Sequence, residues 1–179
     1  IKEKKMKNKM NKEVLELLNE QIWLENHAMY HYLNLAVEFG NKGFSGISTY
    51  FFNQSEEERQ HSIKLIKYIL DRDEVPTIPQ YNYLEPYEET FDVQFHFENS
   101  LVQEKKVSEQ VFKVINGCRK HNDYTTENFM QWYVAEQQDE ESKFKDIIDK
   151  LKMVGDSGLG IYQIDSELGG SPQTEETPG

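Results

Sequence analysis

The chain has 179 residues, of which 37% are hydrophobic and 29% are charged, a composition typical of one soluble, helix-rich domain. The formal net charge of −12 disfavours nucleic-acid binding, and no apolar run approaches the ~20 residues that a membrane-spanning helix needs. The single cysteine, Cys118, rules out an internal disulfide and favours a reducing compartment. Residues 1–11 are basic without the apolar segment of a signal peptide, so we expect an N-terminal tail and a cytoplasmic protein.

Apolar residues then recur at steps of three and four along four long stretches, which predicts four long helices. They are expected at about residues 12–39, 45–71, 90–117 and 126–154. Ser45 and Thr90 are the residue types that favour helix N-caps, and we expect them to begin the second and third helices, with Asp92 in the first turn of the third.

The connection between the second and third helices is expected to be long and non-helical. Residues 72–89 contain three of the five prolines, which exclude a long helix. Eighteen extended residues reach up to ~60 Å at ~3.3 Å each, whereas a helix of ~28 residues is ~42 Å long. The third helix can therefore lie parallel to the second. Residues 158–168 predict a short fifth helix, and residues 169–179 are expected to be disordered.

Glu58 and His61 form a Glu-x-x-His step on an otherwise apolar helix face. Each of the other three long helices carries a glutamate near the middle of its apolar face. The inward-facing polar residues are Glu25, Glu58, His61, Glu104, Gln137 and Glu140. Buried carboxylates are costly unless they are paired or bind a metal, so this set predicts a two-metal site. Carboxylates with one imidazole suit iron(II) or manganese, and two divalent ions would balance the four glutamate charges.

The predicted site is asymmetric, because the step on the fourth helix is Gln137-x-x-Glu140 instead of a second Glu-x-x-His. One metal position then has an imidazole and the other only carboxylates, which favours ions that exchange. Tyr32 shares the face of Glu25 and is either a core tyrosine or a hydrogen-bonding or electron-donating neighbour. Three flanking residues form either a further cation position or a solvated acidic patch: Glu57, Glu136 and Asp139. The remaining histidines are interpreted as surface residues: His27, His31, His96 and His121.

At these residues the chain resembles the non-haem bacterial ferritins over about residues 12–168. The most specific stretches are LLNEQIWLE (17–25), SEEERQH (55–61), ENFMQWYVAEQQDEE (127–141) and GLGIYQIDSEL (158–168). The resemblance implies an all-α fold, a ferritin-like four-helix bundle with a long crossover between helices two and three and a short C-terminal fifth helix. It also implies a hollow homo-oligomeric shell of 24 subunits.

Residue by residue, the resemblance implies a first iron site of Glu25, Glu58 and His61. It implies a second site formed by Glu58 as the bridge, Glu104 and Glu140, with Gln137 nearby and Tyr32 beside the centre. The family's third iron position falls on Glu57, Glu136, Asp139 and Glu140, where Asp139 replaces the usual glutamate. Arg59 and Glu140 depart from the pattern of haem-containing bacterioferritins, so no haem is expected.

Three functions are compared. The first is a ferroxidase that oxidises Fe(II) with O₂ or H₂O₂ and stores the Fe(III) as an oxyhydroxide mineral inside the shell. The second is a di-iron oxidase or peroxidase that keeps its metals as a fixed cofactor. The third is a non-catalytic helical shell subunit. The resemblance favours the ferroxidase and storage hypothesis.

Overall fold

The computed structural model describes residues 9–80 and 91–170. In these two ranges the chain forms five helices and no strand. The helices are α1 (Lys12–Asn41), α2 (Ser45–Asp71), α3 (Val93–Lys120), α4 (Tyr124–Val154) and α5 (Gly158–Gly170). The prediction of four long helices and a short fifth is confirmed. None of the described helices is both long enough and apolar enough to cross a membrane.

Three helices begin at a side chain that accepts a hydrogen bond from a backbone N–H of the first turn: Asn11 for α1, Asp92 for α3 and Asp123 for α4. The prediction that Ser45 caps α2 is wrong. Ser45 is the first helical residue, and Phe44 precedes it without a side-chain cap. Asp92, expected in the first turn of α3, is instead its N-cap, and Thr90 lies outside the described residues.

Hydrogen bonds between the helices define their directions. The pairs are Asn26–Ser62 and Ala36–Ser48 between α1 and α2, and Leu17–Gln110 and Tyr32–Glu104 between α1 and α3. Both α2 and α3 therefore run against α1 and are parallel to each other, which requires the predicted long crossover. Its described part, residues 72–80, leaves α2 as an irregular segment, and the Thr77 amide donates to Asn19 of α1. Residues 81–90 lie outside the described residues.

The bundle core consists of two apolar halves. The half nearer α5 contains Tyr32, Leu35, Phe39, Ile47, Phe51, Phe97, Phe144 and Ile164. The other half contains Met10, Leu18, Ile22, Leu65, Ile69, Val111, Met130 and Tyr133. Along each long helix, the polar residues of the predicted metal site fall between these two groups. The site is therefore a polar layer inside an otherwise apolar interior.

The short helix α5 packs across the start of α2 at one end of the bundle. A Cβ on Gly46 would lie 1.7 Å from the backbone oxygen of Asp165, so only glycine permits this approach. The Asp165 carboxylate accepts a hydrogen bond from the backbone N–H of Ile47 at 2.8 Å. This contact fixes α5 against the bundle.

The structure corrects two of the histidine predictions. His31 and His96 are buried, not on the surface, with 8% and 3% exposure. Burial lowers the pKa of His31 to about 4, so its ring is neutral at pH 7, and it packs against the ring of Tyr32. At the N-terminal end, Met10 is buried in the core. At the C-terminal end, α5 continues to residue 170, while residues 1–8 and 171–179 lie outside the described residues.

Candidate metal centre

The structure buries all six inward-facing polar residues at the middle of the bundle. Each is no more than 5% exposed: Glu25 from α1, Glu58 and His61 from α2, Glu104 from α3, and Gln137 and Glu140 from α4. The spacing of three and four residues along each helix points these side chains inward together with the apolar residues that flank them. The four long helices thus all contribute to one polar layer.

Glu25, Glu58 and His61 come together as one potential ligand group, with one ligand atom from each residue within 4.8 Å of the others. The His61 Nδ1 atom lies 3.4 Å from Glu58 Oε2 and 3.7 Å from Glu25 Oε2. The i, i+3 spacing on α2 places Glu58 and His61 side by side, and the antiparallel packing of α1 brings in Glu25. This is the group predicted as the first metal position.

Glu104 is the centre of a second group on the α3 and α4 side. Its carboxylate accepts a hydrogen bond from the Tyr32 hydroxyl and another from Gln137 Nε2 at 3.0 Å. Tyr32 is therefore a hydrogen-bonding neighbour of the polar layer, beyond its packing against the rings of Phe51 and Phe144. Both donors hold the Glu104 carboxylate in one orientation.

Burial and mutual repulsion hold protons on this layer when no cation is bound. Burial, reinforced by repulsion from Glu140, raises the pKa of Glu104 to about 7. Burial and the charge of Glu104 raise the pKa of Glu58 well above its usual range, and burial likewise raises the pKa of Glu140. The Glu104 carboxyl group is therefore partly protonated near neutral pH.

Glu25 and His61 have the opposite relation, because they form an ion pair. Burial opposes the charge of each, but the attraction between the two charges, whose nearest atoms are 3.7 Å apart, outweighs it. The pKa of Glu25 is lowered, and the pKa of His61 is raised well above its usual value. A metal ion that binds His61 must first displace its proton, so metal binding and proton release are coupled here.

Four ligand-type atoms in the layer are buried without a hydrogen-bond partner: Glu25 Oε2, Glu58 Oε2, His61 Nδ1 and Glu140 Oε2. Buried polar atoms are nearly always paired in folded proteins, so four in one layer need an explanation. Cations between them would satisfy all four. Carboxylate oxygens and one imidazole nitrogen are ligands that suit Fe(II) and Mn(II).

The residues predicted for a third cation position are only partly gathered. Glu57 and Glu136 are half-buried at the edge of the layer, and Glu136 Oε1 lies 4.0 Å from His61 Nε2. Glu57 accepts a hydrogen bond from Gln54. Asp139 is exposed, so the structure does not bury it with the others.

Several neighbours of the layer were not predicted as part of the site. Gln21 Nε2 donates to Glu25 Oε1 at 2.7 Å, and the i, i+4 spacing on α1 is a signal that could have found it. The Tyr133 hydroxyl donates to the backbone oxygen of His61 at 2.7 Å, a contact between helices that no local sequence pattern predicts. Lys143 Nζ lies 2.7 Å from Glu140 Oε1, again at i, i+3 spacing.

Comparison with known proteins places the chain among the ferritins. A family model for the ferritin-like domain matches residues 15–154. The bacterial non-heme ferritin of Campylobacter jejuni is 34% identical over 160 residues, covering 89% of this chain and 94% of that relative. That of Escherichia coli is 34% identical over 157 residues, covering 87% and 93%.

Solved structures agree with the sequence relatives. A humanized archaeal ferritin superposes with a TM-score of 0.87 at 28% identity, covering 92% of this chain and 99% of that one. The open-pore ferritin of Archaeoglobus fulgidus superposes with a TM-score of 0.84 at 30% identity, covering 91% and 99%. The predicted ferritin-like bundle and the resemblance to non-haem bacterial ferritins are both confirmed. With its five helices and its buried layer of carboxylates and one imidazole, this chain belongs to the ferritin family.

Proposed function

We propose that the protein is an iron-storage ferritin that oxidises Fe(II) in its central polar layer. The observation that carries the proposal is the set of four buried ligand atoms, on three of the four long helices, that have no hydrogen-bond partner. The family relationship supports iron as the metal, because the relatives found are ferritins.

Two Fe(II) ions are the substrates. Glu25, Glu58 and His61 would hold the first, and Glu58, Glu104 and Glu140 the second, so that Glu58 bridges the pair. The two positions differ because only the first has an imidazole ligand. Unequal ligand sets give unequal affinities, which suits ions that pass through the site.

Pairing of the ions determines the chemistry. Two Fe(II) ions together give two electrons to O₂, which takes up two protons and becomes H₂O₂. Alternatively, they give two electrons to H₂O₂, which takes up two protons and becomes two molecules of water. Neither reaction releases a one-electron oxygen radical. Protons displaced from Glu104 and His61 on metal binding are available close to the reacting atoms.

Two neighbouring side chains position the second site. The Tyr32 hydroxyl and the Gln137 amide both donate to the Glu104 carboxylate. Such partners orient a ligand and tune its basicity, and their loss typically lowers metal affinity or activity about 10- to 100-fold. We also propose Tyr32 as a candidate electron donor, because its hydroxyl contacts Glu104, a proposed ligand of the second ion.

After oxidation, Fe(III) would leave the layer and grow an oxyhydroxide mineral inside a hollow homo-oligomer. We propose a shell of 24 subunits in the cytoplasm, without haem. The residues predicted for a third iron position are Glu57, Glu136, Asp139 and Glu140, and the exposure of Asp139 argues against a complete site of this kind.

Stopped-flow oxidation of Fe(II) by air tests the ferroxidase proposal. Glu58→Ala and His61→Ala are each expected to lower the initial rate by about tenfold or more, because each removes a ligand. Glu56→Ala is the matched control, since Glu56 is an exposed neighbour on the same helix that pairs with Arg59. Wild-type rates in both ligand variants would contradict the proposal.

Electron microscopy of protein loaded with Fe(II) in air tests the storage function separately. Hollow shells with dense cores are expected. Iron that stays at the small, fixed amount held by the polar layer, without dense cores, would contradict storage and favour a fixed di-metal cofactor.

A further inference from the structure

Lys143 reaches the polar layer from the surface of α4. Its Nζ atom lies 2.7 Å from Glu140 Oε1, one helical turn earlier. The two partners differ sharply in environment, because the Glu140 side chain is 1% exposed and that of Lys143 is 45% exposed. The lysine stem thus leads from solvent to a carboxylate inside the bundle.

The ammonium group of Lys143 faces more than one carboxylate. Besides its contact with Glu140, its charge is attracted to Glu57 and Glu136. Those carboxylates are three of the four residues predicted for a third cation position, and the fourth, Asp139, is exposed. A positive charge therefore already lies against one of the carboxylates that a third metal ion would need, and is attracted to two others.

An ordinary i, i+3 ion pair on an exposed helix face contributes only about 0.2–0.5 kcal/mol to helix stability. This pair differs because Glu140 is buried and is proposed as a ligand of the second iron. Its other carboxylate oxygen, Oε2, is buried without a hydrogen-bond partner. Lys143 therefore occupies one oxygen of Glu140 on the outer side and leaves the other for the inner position.

We propose that Lys143 is a built-in counter-ion that occupies the outer cation position beside Glu140 and limits the centre to two metal ions. The inference rests on the proposed function, because it concerns ions bound by the same layer. A divalent cation beside Glu57, Glu136 and Glu140 would have to displace the ammonium or bind against its repulsion. The lysine also orients the Glu140 carboxylate before metal arrives.

Anaerobic titration of the assembled, metal-free protein with Fe(II), followed by calorimetry, tests this inference without measuring activity. Wild type is expected to bind two ions per subunit at this centre, and Lys143→Met three. The affinity for the third ion is expected to rise by about tenfold or more when the competing charge is removed. Lys143→Arg keeps the charge and should bind two.

Lys145→Met is the matched control. Lys145 lies on the same helix, is 52% exposed, and pairs with Glu141 at 3.2 Å, so its replacement removes the same charge from another ion pair. It should leave two ions bound. The same circular dichroism spectrum and shell size in all variants would show that the fold is unchanged.

The outcomes separate the two proposals. Two ions in both wild type and Lys143→Met, with unchanged affinities, would overturn the counter-ion role while leaving the two-metal centre intact. Three ions in wild type would also overturn only the counter-ion role. No binding by wild type would overturn the proposed function, and this inference with it. A third ion in Lys143→Met that is absent from both Lys143→Arg and Lys145→Met supports the role.

Discussion

Replacing Glu104 by glutamine should stabilise the metal-free protein at pH 8 but not at pH 4.5. Glu104 is fully buried, and burial together with repulsion from Glu140 raises its pKa from 4.5 to about 7. The folded protein therefore holds a proton on Glu104 in the range where the unfolded chain has lost it. Glutamine has nearly the same shape and carries no charge, so it avoids this conflict.

The sign and size follow from proton linkage. Between pH 4.5 and about 7 the folded state binds more protons than the unfolded state, so stability falls as pH rises. Below that window the penalty is absent, and above it the full penalty applies. A rise in pKa from 4.5 to about 7 corresponds to about 3 kcal/mol, at about 1.4 kcal/mol per pH unit.

The gain from Glu104→Gln is expected to be smaller than this limit. Tyr32 and Gln137 both donate hydrogen bonds to the carboxylate, and the new amide can accept only through its single oxygen. The Gln137 amide would have to rotate so that its oxygen accepts from the new NH₂ group. We expect about 1–2 kcal/mol of net stabilisation at pH 8 after the cost of this rearrangement.

Thermal unfolding in the presence of a chelator, at one protein concentration and at pH 4.5, 6 and 8, measures the effect. The midpoint difference between Glu104→Gln and wild type should grow with pH, in favour of the variant. Glu109→Gln, an exposed position on the same helix, is the control and should show no such trend. A difference that is the same at every pH, or that favours wild type more as pH rises, would refute the reasoning.

Three further predictions follow from the same structure. Tyr32→Phe removes a hydrogen-bond donor to Glu104 and should slow Fe(II) oxidation by about tenfold in stopped flow. Anaerobic titration should still find two ions per subunit, and an unchanged oxidation rate would contradict a positioning role for Tyr32. Gly46→Ala forces a Cβ to 1.7 Å from the Asp165 oxygen and should lower the free energy of unfolding, measured by thermal unfolding, by about 1–3 kcal/mol. Gly158→Ala, with open space around it, should be neutral, and equal effects of the two variants would contradict the close packing of α5. Co(II) binding should release protons and weaken as pH falls below about 7, because the cation must displace protons from buried carboxyl groups. Calorimetry in two buffers of different ionisation enthalpy measures the proton release, and a pH-independent affinity would contradict the prediction.

Much of the fold was predictable because its signals are local. The steps of three and four residues predicted α1 to α4 almost to their ends, and the prolines after α2 predicted the long crossover that the parallel α2 and α3 require. The cap of α2 was less predictable. Ser45 has a suitable side chain, but the tight turn at Gly43, with φ of 88°, starts the helix one residue earlier than the capping pattern requires.

The buried polar residues of the central layer were predictable for a different reason. A glutamate or histidine on an apolar helix face is energetically unfavourable, so it stands out in the sequence. The neighbours that orient the ligands do not stand out in this way. The Tyr133 hydroxyl, for example, donates to the His61 backbone oxygen. Tyrosine is common in protein cores, and its hydroxyl could bond to any of several partners. Only the packing of α4 against α2 decides which one it meets.

The burial of the histidines could not be predicted either, because it also depends on packing between helices. His31 and His96 looked like surface residues because neither has a ligand partner at helical spacing. A neutral imidazole, however, packs well among aromatic rings, as His96 does against Phe39 and Phe91. Whether a histidine is buried depends on neighbours from other helices, and its own helix carries no signal of it.

The two apolar halves of the core explain how the fold tolerates its central layer. The three buried carboxyl groups with raised pKa values, Glu58, Glu104 and Glu140, destabilise the metal-free bundle when they lose their protons, and for Glu104 this occurs as pH rises to about 7. The aromatic and aliphatic residues on either side, which include the fully buried Phe51 and Leu65, supply the offsetting burial. Cations that bind the layer relieve the repulsion and so stabilise the folded state by mass action. In the proposed reaction Fe(II) would therefore be both the substrate and the positive charge that offsets the repulsion within the layer.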